Sequence, residues 1–206
     1  MKIVYPFRAC LKLPLKRPPI VIGIAGMPGA GKDTVKEVIC RYGFPVITMG
    51  DEVRAEAARR NLEPTPENLG RLMLQIRVEE GPDAVAKRCI RKIMELDADV
   101  IVINGLRSPH EVEFFRREFP SFKVMAIHAS PKTRFKRLLS RGRTDDPKDW
   151  EGFCVRDRRE LSVGLGEVIA MADYMIINEG TIKQLEMEVK KIINKVVGDE
   201  RSNRRC

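Results

Sequence analysis

The chain has 206 residues, of which 43% are hydrophobic and 33% charged, and its formal net charge is +9. That length accommodates one α/β domain with a sizeable core and excludes two full-sized domains, while the apolar share excludes a wholly disordered chain. The basic balance favours anionic partners, nucleotide phosphates or RNA, without choosing between them, and the high share of Lys, Arg and Glu points toward thermophily.

Residues 1–19, MKIVYPFRACLKLPLKRPP, scatter basic residues among apolar ones and read as an extension ahead of the first strand rather than a signal peptide. No apolar run approaches the roughly 20 residues of a membrane span, so a cytoplasmic protein is expected. "IVIGIAG" after Pro18-Pro19 is a β-branched run of the kind found in buried parallel strands. A helix is expected from Gly31 to Tyr42-Gly43. Further strands are predicted at "PVITMGD" (Pro45 to Asp51), "DVIVING" (Asp99 to Gly105), "KVMAIHA" (Lys123 to Ala129) and "DYMIINEG" (Asp173 to Gly180), each followed by helical spacing. Alternation of this kind predicts a five-stranded parallel α/β sheet with helices on both faces and ligands beyond the carboxyl ends of the strands.

Residues 52–96 form a long helical stretch interrupted at "EPTPEN" and "EGPDA", too long for a plain crossover, and read as an insertion able to close over a substrate. Within it, Thr65-Pro66 is an N-cap followed by Pro at N1. "GDERSNRRC" (198–206) is expected to be a frayed basic tail. The five cysteines, Cys10, Cys40, Cys89, Cys154 and Cys206, are widely spaced without a CxxC pair, which points to neither a disulfide framework nor a zinc site.

"GIAGMPGAGKDTV" carries the chemistry. Gly26-Met27-Pro28-Gly29-Ala30-Gly31-Lys32 satisfies G-x-x-x-x-G-K between a predicted strand and a predicted helix, the context of a phosphate-binding loop. Its glycines let backbone N–H groups turn toward phosphate oxygens, the helix N-terminus adds a positive dipole, and Lys32 supplies an ammonium for the β- and γ-phosphates. A tight turn with glycines for steric reasons would explain neither the lysine nor the spacing, so ATP binding is expected. Asp33 stands where a Mg²⁺-ligating hydroxyl is usual, with Thr34 next. Asp33 reads either as a solvated carboxylate at a helix N-terminus or as a partner of metal-bound water.

"GMPGAGKDT" is similar to the adenylate kinase loop. "ITMGDEVR" resembles that family's segment after the second strand, and "INGLR" (Ile103 to Arg107) resembles its strand-end segment shortened by one residue. The resemblance implies that Arg54 and Arg107 hold the phosphate of an accepting nucleotide, with Asp51 nearby, and it differs at Met49 (a threonine in that family) and at Asn104 (an aspartate). Asn104 can still accept a hydrogen bond from a metal-bound water, leaving Asp33, Thr34 and Asn104 as the metal candidates. Asn178, Glu179 and Gly180 match the place where related kinases hold adenine.

A closer resemblance, to an archaeal adenylate-kinase-related P-loop family called dephospho-coenzyme A kinase-like, rests on "MGDEVRAEA", "EPTPENLG", "GPDAVAKR", "RSPHEVEFF", "RDRREL" and "GLGEVIAMADYMIINEG" and spans Ile20 to Val197. It implies a nucleoside-kinase fold over residues 20–197 that binds ATP with Mg²⁺. By resemblance to the adenylate kinase lid, residues 132–160 form a lid with Arg137 and Arg141 on one arm and Arg156 and Arg159 on the other, placed to stabilise the transferring phosphoryl group. Lys132, Arg134 and Arg158 read as solvated surface. His128 reads as a packed strand end and His110 as a helix-start residue. The expected function is transfer of the γ-phosphoryl of Mg·ATP to a nucleoside monophosphate or to dephospho-coenzyme A. The alternative is a nucleotide-dependent binding protein or RNA-associated ATPase that keeps the fold without efficient transfer.

Overall fold

The computed structural model describes residues 18–143 and 146–203. The expectations for residues 1–17, for Thr144-Asp145 and for residues 204–206 lie outside the described part. Five strands, β1 (Ile20–Ala25), β2 (Val46–Thr48), β3 (Val100–Leu106), β4 (Lys123–His128) and β5 (Tyr174–Ile177), form one sheet in the order β2-β3-β1-β4-β5, with every neighbouring pair parallel. β1 lies at the centre, with β3 on one side and β4 on the other. The chain therefore changes direction across the sheet at the carboxyl end of β1, where such folds form a crevice.

Both sheet faces are apolar, and the period of two divides the strand residues between two cores. Ile20, Ile22, Ile24, Val100, Val102, Met125 and Ile127 meet α1 (Lys32–Arg41) and α9 (Ile182–Asn203) through Val35, Val38, Ile39, Leu185, Val189 and Ile193. On the opposite face, Val21, Ala25, Ile101, Ile103 and Val124 pack under α2 (Met49–Arg59), α3 (Pro66–Glu80), α4 (Ala84–Met94), α5 (Pro109–Glu118) and α8 (Leu165–Ala170). Two further helices, α6 (Pro131–Arg141) and α7 (Trp150–Ser162), stand over the carboxyl ends of the strands. Among the described residues no helix is long and apolar enough to cross a membrane.

Local chemistry accounts for the helix starts. Thr65 Oγ1 accepts from the backbone N–H of Asn68 at 3.2 Å with Pro66 in the first helical turn, as its sequence signature requires. Ser108 and Glu111 form a capping box at α5: Ser108 Oγ accepts from the N–H of His110, and Glu111 accepts from the N–H of Ser108. Asp149 caps α7 through the N–H of Gly152 at 2.7 Å.

Several expectations are corrected. The second strand ends at Thr48, and Met49, Gly50 and Asp51 open α2, because a short strand at the sheet edge has one partner only and the chain turns into helix as soon as it leaves the ladder. α9 continues through Gly198 to Asn203 instead of fraying at residue 198, since Val189, Ile193 and Val196 anchor its length on the core. Of the cysteines in the described residues, Cys89 is buried, Cys154 half-buried and Cys40 exposed, all of them free. His128 is exposed rather than packed.

Candidate active site

The glycine loop connects β1 to α1 with backbone conformations that demand glycine. Gly29 and Gly31 have φ of 79° and 106°. A Cβ on Gly29 would lie 2.6 Å from the carbonyl of Arg134, and one on Gly31 would lie 2.2 Å from Asn178 Nδ2. The loop is therefore clamped from outside by α6 and by the end of β5. Asn178 Nδ2 donates to the carbonyl of Ala30 at 2.8 Å. Arg134, only 4% exposed, donates to the carbonyls of Ala129 and Pro28, holds Asp157 of α7 through two parallel bonds of 2.9 and 2.6 Å, and lies over the ring of Phe153. The expectation of a solvated Arg134 is thus overturned: its carboxylate partner on α7 and the loop carbonyls let it be buried while charged.

Lys32 Nζ donates to the carbonyls of Gly26 and Met27 at 2.5 and 3.2 Å. Burial, reinforced by the positive charge of Arg107, holds its pKa down at about 8, and Glu160 and Asp33 act in the opposite direction. Asp33 is neither solvated alone nor bare toward a metal: its carboxylate pairs with Arg141 at 3.1 Å and Arg143 at 2.9 Å.

A cavity of about 980 Å³ opens above the carboxyl ends of β1 and β3. Gly26, Pro28, Gly29, Gly31, Lys32, Asp33 and Thr34 form its floor, and Asn178 and Gly180 bound it beside α9. Asp51 and Arg54 of α2 face them with Asn104 and Arg107 from the end of β3, while Arg137, Arg141 and Arg156 come from the lid helices. Met27 packs against the core, Ala30 is fully buried, and Glu179 is turned to the start of α6, where it accepts from the N–H of Ser130 and from Thr133 Oγ1. Asn104 sits beside Ile24 of β1 and Thr48 of β2, 3% exposed, and its Oδ1 has no hydrogen-bond donor among the described residues.

Arg159 lies elsewhere than expected. It reaches over Gly70 of α3, where a Cβ would come within 2.2 Å of its guanidinium, and donates to the carbonyl of Pro66 at 3.4 Å. There it borders a second, 60 Å³ cavity together with Arg54, Arg107, Arg156 and Glu160, on the α2–α3 side rather than over the glycine loop. The lid arms are joined by Asp146, 7% exposed, which receives Arg141, Arg156 and the N–H of Arg143.

Sequence reasoning missed three carboxylates. Fully buried Glu111 ties the N–H of Arg107 at 2.8 Å and the guanidinium of Arg77, fixing the strand-end arginine; the S-x-x-E capping pattern was its visible signal. Asp146 and Glu160 gave no signal, since acidic residues within basic helices ordinarily read as solvated pairs.

A family model described as an AAA domain matches residues 25–152. The UPF0200 protein of Pyrococcus furiosus is 49% identical over 182 residues, covering 86% of this chain and 97% of the relative. The chain belongs to the UPF0200 family. A second UPF0200 protein, from Methanothermobacter thermautotrophicus, is 44% identical over 185 residues, with 89% and 95% of the two chains covered.

Among solved structures, TT1252 from Thermus thermophilus superposes with a TM-score of 0.59 at 20% identity, covering 87% of this chain and 98% of that one. Shikimate kinase from Acinetobacter baumannii, solved with shikimate, gives 0.55 at 16% identity, with 88% and 94% covered. This UPF0200 chain therefore has a P-loop kinase-like fold, a five-stranded parallel sheet flanked by helices.

Proposed function

We propose that this UPF0200 protein is a phosphotransferase that binds ATP with Mg²⁺ on the glycine loop and transfers the γ-phosphoryl group to a small phosphorylated acceptor. The observation that carries this reading is the joining, in one cavity, of Lys32, the strand-end Asn104 and Arg107, and the lid arginines Arg137, Arg141 and Arg156. Phosphoryl transfer needs little beyond positioning and charge, and these groups provide both.

In this reading the loop N–H groups and Lys32 cradle the β- and γ-phosphates, the ammonium leaving its two loop carbonyls for phosphate oxygens. Thr34 and Asn104 suit a Mg²⁺ that keeps part of its water shell, because the partnerless buried Oδ1 of Asn104 can accept from a metal-bound water. Bound there, the ion would neutralise charge on the phosphates. Asp33 takes no part, since its carboxylate is already paired with Arg141 and Arg143. Arg137, Arg141 and Arg156 approach the γ-phosphate from the lid over residues 132–160. The helical segment 52–96 walls the acceptor, whose phosphate meets Arg54 and Arg107, with Asp51 at the rim. Asn178 and Gly180 bound the adenine side, and Asn178 does so chiefly by holding the loop.

The acceptors that fit are those of adenylate-kinase-related enzymes, a nucleoside monophosphate or dephospho-coenzyme A. Weighing against an RNA-associated ATPase, Arg134 and Arg156 are drawn inward onto Asp157 and Asp146, and the more exposed Arg141 and Arg143 are held by Asp33 and Asp146 at the cavity, so the lid arginines do not form a free basic strip. The test is calorimetric ATP binding together with ADP formation across monophosphates and dephospho-coenzyme A. Tight ATP binding without acceptor-dependent ADP formation would overturn the kinase reading.

A further inference from the structure

Glu160 on α7 is 4% exposed, yet it is not paired as the lid carboxylates Asp146 and Asp157 are. Asp157 meets Arg134 through both oxygens, and Asp146 receives Arg141 through both of its own, at 2.8 and 2.5 Å. Glu160, with Arg107, Arg156 and Arg159 all around it, comes no nearer than 3.5 Å to a guanidinium nitrogen of Arg107, and its Oε2 has no donor among the described residues. A carboxylate kept only to neutralise arginines would rotate onto their N–H groups. Leaving a buried acceptor oxygen unmade costs about 1–3 kcal/mol, so this arrangement is complete only when something else donates to it.

The position of Glu160 says what donates. It borders both cavities, the large one floored by the glycine loop and the small one bounded by Arg54, Arg107 and Arg159. Its negative charge acts on both Lys32 and Arg159, so it stands between the phosphate-donor side and the anion-binding side. An acceptor that attacked through a phosphate oxygen would bring like charge against this carboxylate at low dielectric. An acceptor that attacked through a hydroxyl would supply the missing donor.

We propose that the acceptor is a phosphorylated alcohol, with its phosphate held by Arg54, Arg107 and Arg159 and its reacting hydroxyl donating to Glu160 Oε2, so that the product is a phosphate monoester and not a phosphoanhydride. This rests on the kinase reading above and narrows it. As the acceptor oxygen bonds to the γ-phosphorus, the bond from phosphorus to the β,γ-bridging oxygen breaks and ADP leaves with that electron pair. The hydroxyl proton passes to Glu160, which later releases it to water.

The experiment uses the full chain with Mg·ATP and four acceptors, each carrying both a phosphate and a hydroxyl: dephospho-coenzyme A, AMP, CMP and glycerol 3-phosphate. Phosphorus-31 NMR of the product separates a new monoester resonance from the coupled doublets of an anhydride. A monoester is expected. Glu160→Gln is expected to lower kcat by about 100-fold or more with the KM for ATP unchanged, and Glu160→Asp to recover part of the loss. Arg159→Ala is expected to raise the acceptor KM with little change in kcat. An anhydride product leaves the kinase reading standing and overturns this inference, as does an unchanged kcat in Glu160→Gln. Absence of transfer to all four acceptors overturns the kinase reading, and this inference with it. The product spectrum is read on the unaltered chain, so the test survives a variant that fails to fold.

Discussion

Replacing Lys32 with methionine separates what the loop lysine costs the fold from what it does for a ligand. The ammonium is held at a pKa of about 8 in the folded chain against 10.5 when free. At ~1.4 kcal/mol for each pH unit of that drop, a charged Lys32 costs the folded state at most about 3.5 kcal/mol. Below about pH 8 the group is charged in both folded and unfolded chains and the whole penalty is present. Between about 8 and 10.5 the folded chain releases its proton first, so wild-type stability rises with pH relative to the variant; above 10.5 both forms are neutral and the difference levels off. Methionine also forfeits the bonds from Nζ to the carbonyls of Gly26 and Met27, at about 1 kcal/mol each, which offsets part of the gain at every pH. Near pH 7, then, the variant should exceed wild type by about 1.5 kcal/mol, and at pH 10, where about 0.8 kcal/mol of the penalty remains, it should be less stable by about 1 kcal/mol. Urea denaturation followed by the fluorescence of the single tryptophan, Trp150, with circular dichroism in parallel, measures the difference at pH 7, 8, 9 and 10. Mg·ATP at 100 times its Kd should add about 2.7 kcal/mol to wild type and far less to the variant. A stability difference that is flat from pH 7 to 10 would refute the reasoning.

Arg134→Leu should cost about 3–5 kcal/mol in the same denaturation experiment, because it leaves Asp157 facing an apolar side chain and frees the carbonyls of Pro28 and Ala129; a loss under 1 kcal/mol would mean that Arg134 is the surface residue its sequence context suggests. Arg107→Ala should raise the acceptor KM by at least 10-fold and the ATP KM by less than about threefold, since losing one charged hydrogen bond costs about 1.5–3 kcal/mol. Equal losses for both substrates would place Arg107 on the donor side.

Which features were legible in the sequence follows from how local their causes are. β1, β3 and β4 are buried on both faces, so their β-branched runs announce them without any need for alternation. The glycine loop and the Thr65 cap are equally local, each a few residues with one backbone requirement. β2 has a single neighbour and only three residues, too little to outweigh the helix that starts at Met49. The basic lid misleads for a different reason. Arg134 finds its partner 23 residues away on α7, and Arg159 finds its place over Gly70 of α3, and no periodicity along either helix records those meetings. Only the fold brings Asp146, Asp157 and Glu160 among the arginines. The same event turns a run of charge that reads as solvated into the filled pairs of Asp146 and Asp157 and, at Glu160, a carboxylate with one oxygen left without a donor among the described residues.

Asp33 shows how far one departure from a motif carries. Its position beside Lys32 and the replacement of the strand-end carboxylate by Asn104 suggest that one acid substitutes for the other. The two residues border the same cavity, but the carboxylate of Asp33 is committed to Arg141 and Arg143, while Asn104 Oδ1 remains without a donor among the described residues. Pairs as exposed as these contribute about 0.2–1 kcal/mol each and are weakened by salt, so a triphosphate entering the loop can draw both arginines away at little cost. Asp33 is then an interim partner for the lid arginines and not a metal-site substitute, which requires its effect to be independent of Asn104. The variants Asp33→Ser and Asn104→Asp, alone and together, test that independence through the Kd of Mg·ATP. The free-energy effects should add to within about 0.5 kcal/mol, with Asp33→Ser alone leaving affinity unchanged or slightly improved because the arginines lose a competitor. A coupling above 1 kcal/mol between the two positions would return Asp33 to the metal.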